Sequence, residues 1–168
     1  IEAAAKIIEQ GIANVILLGN EEEIIFAATD LLADTKLAPE LSNEAHYYRA
    51  KAYLDAGKTD GAMEDLKVLA KDTRNVYGAE AKYKVAQIYF DGGQTDKAEQ
   101  EVLNYIEVST PHTYWLARSF VLLADVYMKL GRNLDAKQYL LSLKQNYQAD
   151  DDIAGMIESR LEKLKTEN

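Results

Sequence analysis

Along most of this chain apolar residues recur at spacings of three and four, and a glycine with polar neighbours interrupts them at intervals, which is the pattern of short amphipathic helices in succession. In one clear stretch Tyr83, Val85, Ala86, Tyr89 and Phe90 mark a first helix, and Ala98, Val102, Leu103, Tyr105 and Ile106 mark its partner. Gly93 lies between them, where a residue just past a helix end adopts the left-handed conformation that glycine takes most easily.

The same string returns. A small residue, then Tyr, Gly, Ala and an apolar residue occur in fixed register as Ala50, Tyr53, Gly57, Ala62, Leu66, then as Ala86, Tyr89, Gly93, Ala98, Val102, and again as Ala124, Tyr127, Gly131, Ala136, Leu140. A degenerate copy precedes them as Ile12, Val15, Gly19, Ile24, Ala28, so that successive glycines lie 38, 36 and 38 residues apart. A period of this size with a helix, a turn and a helix in each unit predicts a repeat array. Alanine in the second helix of each unit lets the two helices approach closely. The tyrosines before the turn fill the space between helices with the hydroxyl at the wet edge. Thr59 with Asp60, Thr95 with Asp96, and Asn133 with Asp135 are placed to accept hydrogen bonds from the free amides of each second helix and to favour its positive end. Asn20 followed by Glu23 reads as a capping box. Lys36 to Ser42, with Pro39, is an interrupted link. Thr110 and Pro111 open a long helix, and Asp150 to Asp152 open the last one.

This string resembles the tetratricopeptide repeat, whose hallmark is a small residue, an aromatic, a glycine turn and a small residue in that order. The likeness covers about residues 12–147. The usual Trp near the start of a unit is replaced by His46, Lys82 and Phe120, and the closing Pro is missing from most units. Units of 36 to 38 residues are similar to those of bacterial envelope-associated members, such as the cell-division coordinator of the Tol–Pal system and outer-membrane assembly lipoproteins. The resemblance implies an all-α, right-handed superhelix over 1–168: a degenerate unit over 1–34, full helix pairs over 43–74, 78–109 and 111–147, and a capping helix over 151–165.

Composition narrows the chemistry. The chain has no cysteine, which excludes disulfide scaffolds, thiolate metal sites and cysteine nucleophiles. A hydrophobic fraction of 48% suits a folded protein that needs no cofactor for stability. A formal charge of −9 with no basic run opposes nucleic-acid binding. Apolar stretches such as 15–18 and 120–124 are far too short to insert in a membrane. Ile1 falls inside a helical pattern, which reads as a segment of something longer, and a periplasmic or membrane-anchored envelope location is favoured over the cytoplasm. His46 and His112 are far apart and read as surface or packing residues, so no metal site is expected. Gly-rich phosphate loops and nucleophile elbows are missing from the sequence.

Binding is therefore the better account. In the family's register the inner face is formed by Tyr47, Lys51 and Leu54, then Tyr83, Gln87 and Phe90, then Arg118, Val121, Asp125 and Met128. Each of these either faces a groove or packs against the next unit, and Val121 and Phe90 are the readiest to pack. Tyr47 and Tyr83 stand where chaperone-binding relatives carry Lys, and Lys51, Gln87 and Asp125 stand where they carry Asn, so their two-carboxylate clamp is not assembled. The leading expectation is a non-catalytic scaffold for a protein or peptide. Self-association as a homodimer is a second reading, and an enzyme using Asp91, Asp125 and His46 a third.

Overall fold

The computed structural model describes residues 20–166. Among them run eight helices and no strand: α1 (Glu21–Leu32), α2 (Pro39–Asp55), α3 (Thr59–Leu69), α4 (Val76–Asp91), α5 (Thr95–Ile106), α6 (Thr113–Lys129), α7 (Asn133–Asn146) and α8 (Ile153–Thr166). This is an all-α helical repeat. Ile12, Val15 and Gly19 of the degenerate unit lie outside the described residues.

The helix-pair turns follow from three backbone hydrogen bonds that the repeat string encodes. Gly57, Gly93 and Gly131 have φ of 70°, 74° and 73°, the left-handed values expected of them. The next residue in each case, Lys58, Gln94 or Arg132, donates its N–H back to the carbonyl of Tyr53, Tyr89 or Tyr127 at 2.7, 2.8 and 2.8 Å. The glycine N–H returns to Leu54, Phe90 or Met128 at 3.0 Å. These two bonds are the closed C-terminal turn in which the backbone carbonyl four residues before the glycine, here always that of a tyrosine, is the acceptor. The same Lys58, Gln94 and Arg132 then accept, on their own carbonyls, the N–H of Ala62, Ala98 and Ala136. Spacing from tyrosine to glycine to alanine is thus the spacing of donors and acceptors.

That geometry corrects the expectation for the caps. Thr59, Thr95 and Asn133 are the first helical residues, and the capping positions are Lys58, Gln94 and Arg132, none of which makes a side-chain cap bond. The turn places its own last residue at the cap, so Thr59, Thr95 and Asn133 fall one position too late to serve there. Asp60, Asp96 and Asp135 still sit in the first turns, where the helix dipole favours a negative charge. Asn20 does cap α1, accepting from Glu23 N at 3.1 Å while the Glu23 carboxylate accepts from Asn20 N at 3.2 Å. Pro39 begins α2 within its first turn, which shortens the link before it. Pro111 does not begin α6, which starts at Thr113. Thr110 instead ties its segment to the loop before α4, its hydroxyl donating to Thr73 O at 2.8 Å and accepting from His112 N at 3.2 Å.

The chain divides into two compact units between Lys71 and Asp72. In the first, α2 packs on both α1 and α3. In the second, α4 pairs with α5 and α6 with α7, α6 also lies against α4 and α5, and α8 lies against α6 and α7. Ala62, Ala98 and Ala136 are fully buried at the helix crossings. Leu122, Leu123, Tyr127, Leu140, Ile153 and Ile157 build the core of the second unit. Helix α8 directs Ile153, Ile157, Leu161 and Leu164 into that core and leaves Glu158, Ser159, Glu162, Lys163 and Lys165 exposed, the polarity of a cap on a helical stack.

A β-carbon at Gly57, Gly93 or Gly131 would meet nothing within 4 Å, so only backbone conformation resists substitution there. Replacing any one of them by Ala is expected to cost about 1 kcal/mol in urea unfolding, with Asn costing less. A neutral Gly93→Ala would contradict the turn geometry.

Candidate binding surface

The first helices of the units, α2 in one and α4 and α6 in the other, carry the residues expected on an inner face. On α2, Lys51 is exposed, Leu54 is half-buried, and the ring of Tyr47 meets Tyr48 edge-on with centroids 5.3 Å apart. On α4, the Tyr83 hydroxyl donates to Gln87 Oε1 at 2.8 Å, and Gln87 Nε2 donates to Asp91 Oδ1 at 2.8 Å, a ladder made possible by the four-residue helical spacing. Phe90 is half-buried, with Lys129 Nζ 4.9 Å from its ring centroid.

On α6, Arg118 joins this ladder. It donates to the Tyr83 hydroxyl at 3.3 Å and to the Tyr114 hydroxyl at 2.9 Å, and its guanidinium lies 5.1 and 5.8 Å from the two ring centroids. Burial works against the charge of Arg118, but the bonds to Tyr83 and Tyr114 outweigh it and hold the pKa above its ordinary value. Trp115 meets both tyrosines, tilted against Tyr83 at 5.7 Å and edge-on to Tyr114 at 5.0 Å between ring centroids. Asp152, in the turn before α8, reaches Arg118 at 3.3 Å.

Asp125 is placed differently. Its two carboxylate oxygens accept from Arg160 Nε and a terminal nitrogen at 2.8 and 2.7 Å, so it fastens α6 to α8. Val121 is 1% exposed, inside the core of the second unit. Met128 is half-buried against that core. The structure thus joins Gln87 and Arg118 in one polar run through the Tyr83 hydroxyl, sets Phe90 and Met128 at its apolar margin, and turns Val121 and the ring of Tyr83 into the core, where Tyr83 is 7% exposed. Tyr114, Trp115, Asp152 and Arg160 belong to the same surface, and the sequence assigns none of them to it, since it marks Asp152 only as part of the start of the last helix. Tyr114 and Arg118 are one helical turn apart and could have been paired on that ground. No local signal announces Asp152.

The titratable groups considered for catalysis have structural partners. His46 Nδ1 lies 2.7 Å from Asp65 Oδ1, and Asp65 also accepts from Arg49 Nε and a terminal nitrogen at 2.8 and 2.7 Å. Arg49 reaches on to the Thr29 hydroxyl at 3.0 Å, so one buried carboxylate binds α1, α2 and α3 together. Burial alone would push the Asp65 carboxyl up, but the bonds from Arg49 and His46 prevail and hold it below the usual carboxylate range. His112 Nε2 meets Arg74 O at 3.0 Å. Among the described residues no group of three or more His, Asp or Glu could hold a metal ion, and no helix is long and apolar enough to cross a membrane.

Family models of the tetratricopeptide repeat match residues 44–72 and 117–145, which contain the turns at Gly57 and Gly131. The matches support a tetratricopeptide-repeat protein, and repeats of this kind generally mediate protein–protein interaction and scaffolding. No curated protein and no solved structure matches the chain.

Asp65 is 1% exposed, so removing its charge leaves Arg49 facing a neutral amide in a buried setting. Asp65→Asn is expected to lower the stability of the first unit by about 3 kcal/mol in denaturant unfolding. The folded carboxyl is depressed, so its contribution is complete above about pH 3.9 and disappears as the pH falls through the lower folded value. Below that value wild type and Asp65→Asn should converge in stability.

Proposed function

We propose that the chain is a non-catalytic scaffold that takes a protein or peptide segment on the faces of its first helices, within a bacterial envelope-associated complex. The observation that carries the reading is the run from Arg118 through Tyr83 and Gln87 to Asp91, bordered by Phe90 and Met128. It joins two successive first helices into one surface with hydrogen-bonding groups along its length and apolar contact beside them. Aromatic and arginine side chains of this kind supply most of the energy in protein interfaces. Catalysis would call for a reactive group poised for substrate, whereas Asp125 is held bidentately by Arg160 and His46 by Asp65. The envelope setting rests on the length of the repeat units, and Lys51 and Leu54 of α2 are assigned to the same role in the first unit.

A photo-crosslinking side chain at Gln87 or Lys51 is expected to trap the partner from an envelope extract. The same side chain at Gln138, exposed on α7, is expected to trap little. Equal trapping from Gln138 would remove the first-helix faces from consideration.

A further inference from the structure

Five arginines occur in the chain, and four of them are firmly paired with carboxylates. Arg49 meets Asp65 at 2.7 Å, Arg74 meets Asp72 at 2.7 Å, Arg132 meets Asp135 at 2.8 Å and Arg160 meets Asp125 at 2.7 Å. In each the guanidinium Nε takes part. Arg118 is the exception. Its close partners are two uncharged phenols, its Nε is buried with no partner, and its carboxylate contact is one 3.3 Å approach by Asp152.

Asp152 is a loosely held occupant. Its side chain is 56% exposed, against 24% for Arg118. The neighbouring Asp151 performs the structural work of the turn, accepting from Ile153 N at 3.0 Å and from the Tyr147 hydroxyl at 2.6 Å. What Asp152 gives to α8 is its backbone carbonyl, which accepts from Met156 N at 3.0 Å. The Asp152 carboxylate can therefore swing into solvent while α8 stays capped.

We propose that Arg118 is the anchor for an acidic side chain, Asp or Glu, within a bound peptide segment, and that Asp152 occupies the anchor until that segment displaces it. The inference rests on the binding role given above to the first-helix faces and names the chemistry that they recognise. Tyr83 and Tyr114 flank the guanidinium and shield part of it, so a carboxylate arriving there gains more than it would on an open surface. The resident group is itself an aspartate side chain within a chain, which favours an internal acidic residue over a free terminus. Asp152 approaches the guanidinium at Nη1, and a second carboxylate arriving there meets its like charge, so Asp152 and the incoming residue compete. In a protein of net charge −9 this competition also tunes the attraction, since displacing Asp152 returns its negative charge to water.

The test uses the whole chain and two pools of fluorescent dodecapeptides, acetylated and amidated at their ends, one with a fixed central Glu among degenerate positions and one with Gln there. The wild-type protein should retain the Glu pool preferentially. Arg118→Gln should reduce that retention roughly tenfold, and Asp152→Asn should raise it about threefold by removing the competitor. Asp152 is exposed, so its variant folds as wild type does, and thermal melts of both variants report any loss of structure separately. A third pool with a free C-terminal carboxylate and central Gln distinguishes a terminal from an internal acid. Equal retention of the Glu and Gln pools, preference for the third pool, or weaker binding by Asp152→Asn overturns the inference while leaving a first-helix binding face intact. Failure of that face is read separately, from crosslinking at Gln87.

Discussion

Three residues, Lys58, Gln94 and Arg132, use their backbone in two directions at once, and the helix pairs depend on it. The N–H of each closes the end of one helix and the C=O opens the next, so a single residue serves both helices across a three-residue turn. The conformation is reached only if the preceding residue takes a positive φ, which is why glycine recurs at 57, 93 and 131. So short a connection draws the second helix tight against the first, and alanine at 62, 98 and 136 fits the space that remains. Side chains then decorate the turn: the Tyr53 ring packs on Gly61, and Arg132 lies 4.0 Å from the centroid of the Tyr127 ring.

Because the turns fix which helix of each pair faces which way, they also select the residues free to meet another molecule. The first helices α4 and α6 lie against each other, and the hydroxyl of the buried Tyr83 links Arg118 to Gln87 and Asp91 in one ladder. The bidentate pair between Asp125 and Arg160 continues the same side onto α8. Polar groups on this surface are satisfied mainly by one another, which holds them in position, and under the proposed binding role that order would lower the entropic cost of taking a partner.

Local order was the legible part. Tyrosine, glycine and alanine at fixed offsets report backbone bonds spanning four or five residues, and the sequence displays such spans directly. The caps were misread for an instructive reason: Thr59, Thr95 and Asn133 are good capping residues, yet the capping position had already been claimed by the turn. Inner-face positions were legible only as a register. Val121 shares that register but sits in the core, because α6 is enclosed by α4, α5, α7 and α8 and has few outward positions. The pairings that give the surface and the first unit their character join distant residues, Asp152 with Arg118, Arg160 with Asp125 and Asp65 with His46. Helical periodicity says which face a charge is on, and nothing about the charge it will meet.

Helix α8 fills the seat that a further first helix would take, and it shows solvent a side made of Glu158, Ser159, Glu162, Lys163 and Lys165. A new hairpin could accordingly be accommodated between Asn146 and Ile153, where it would slide in beneath α8. Growth by such insertion would part Asp152 from Arg118, so an enlarged descendant would lose the internal rival and keep the cation.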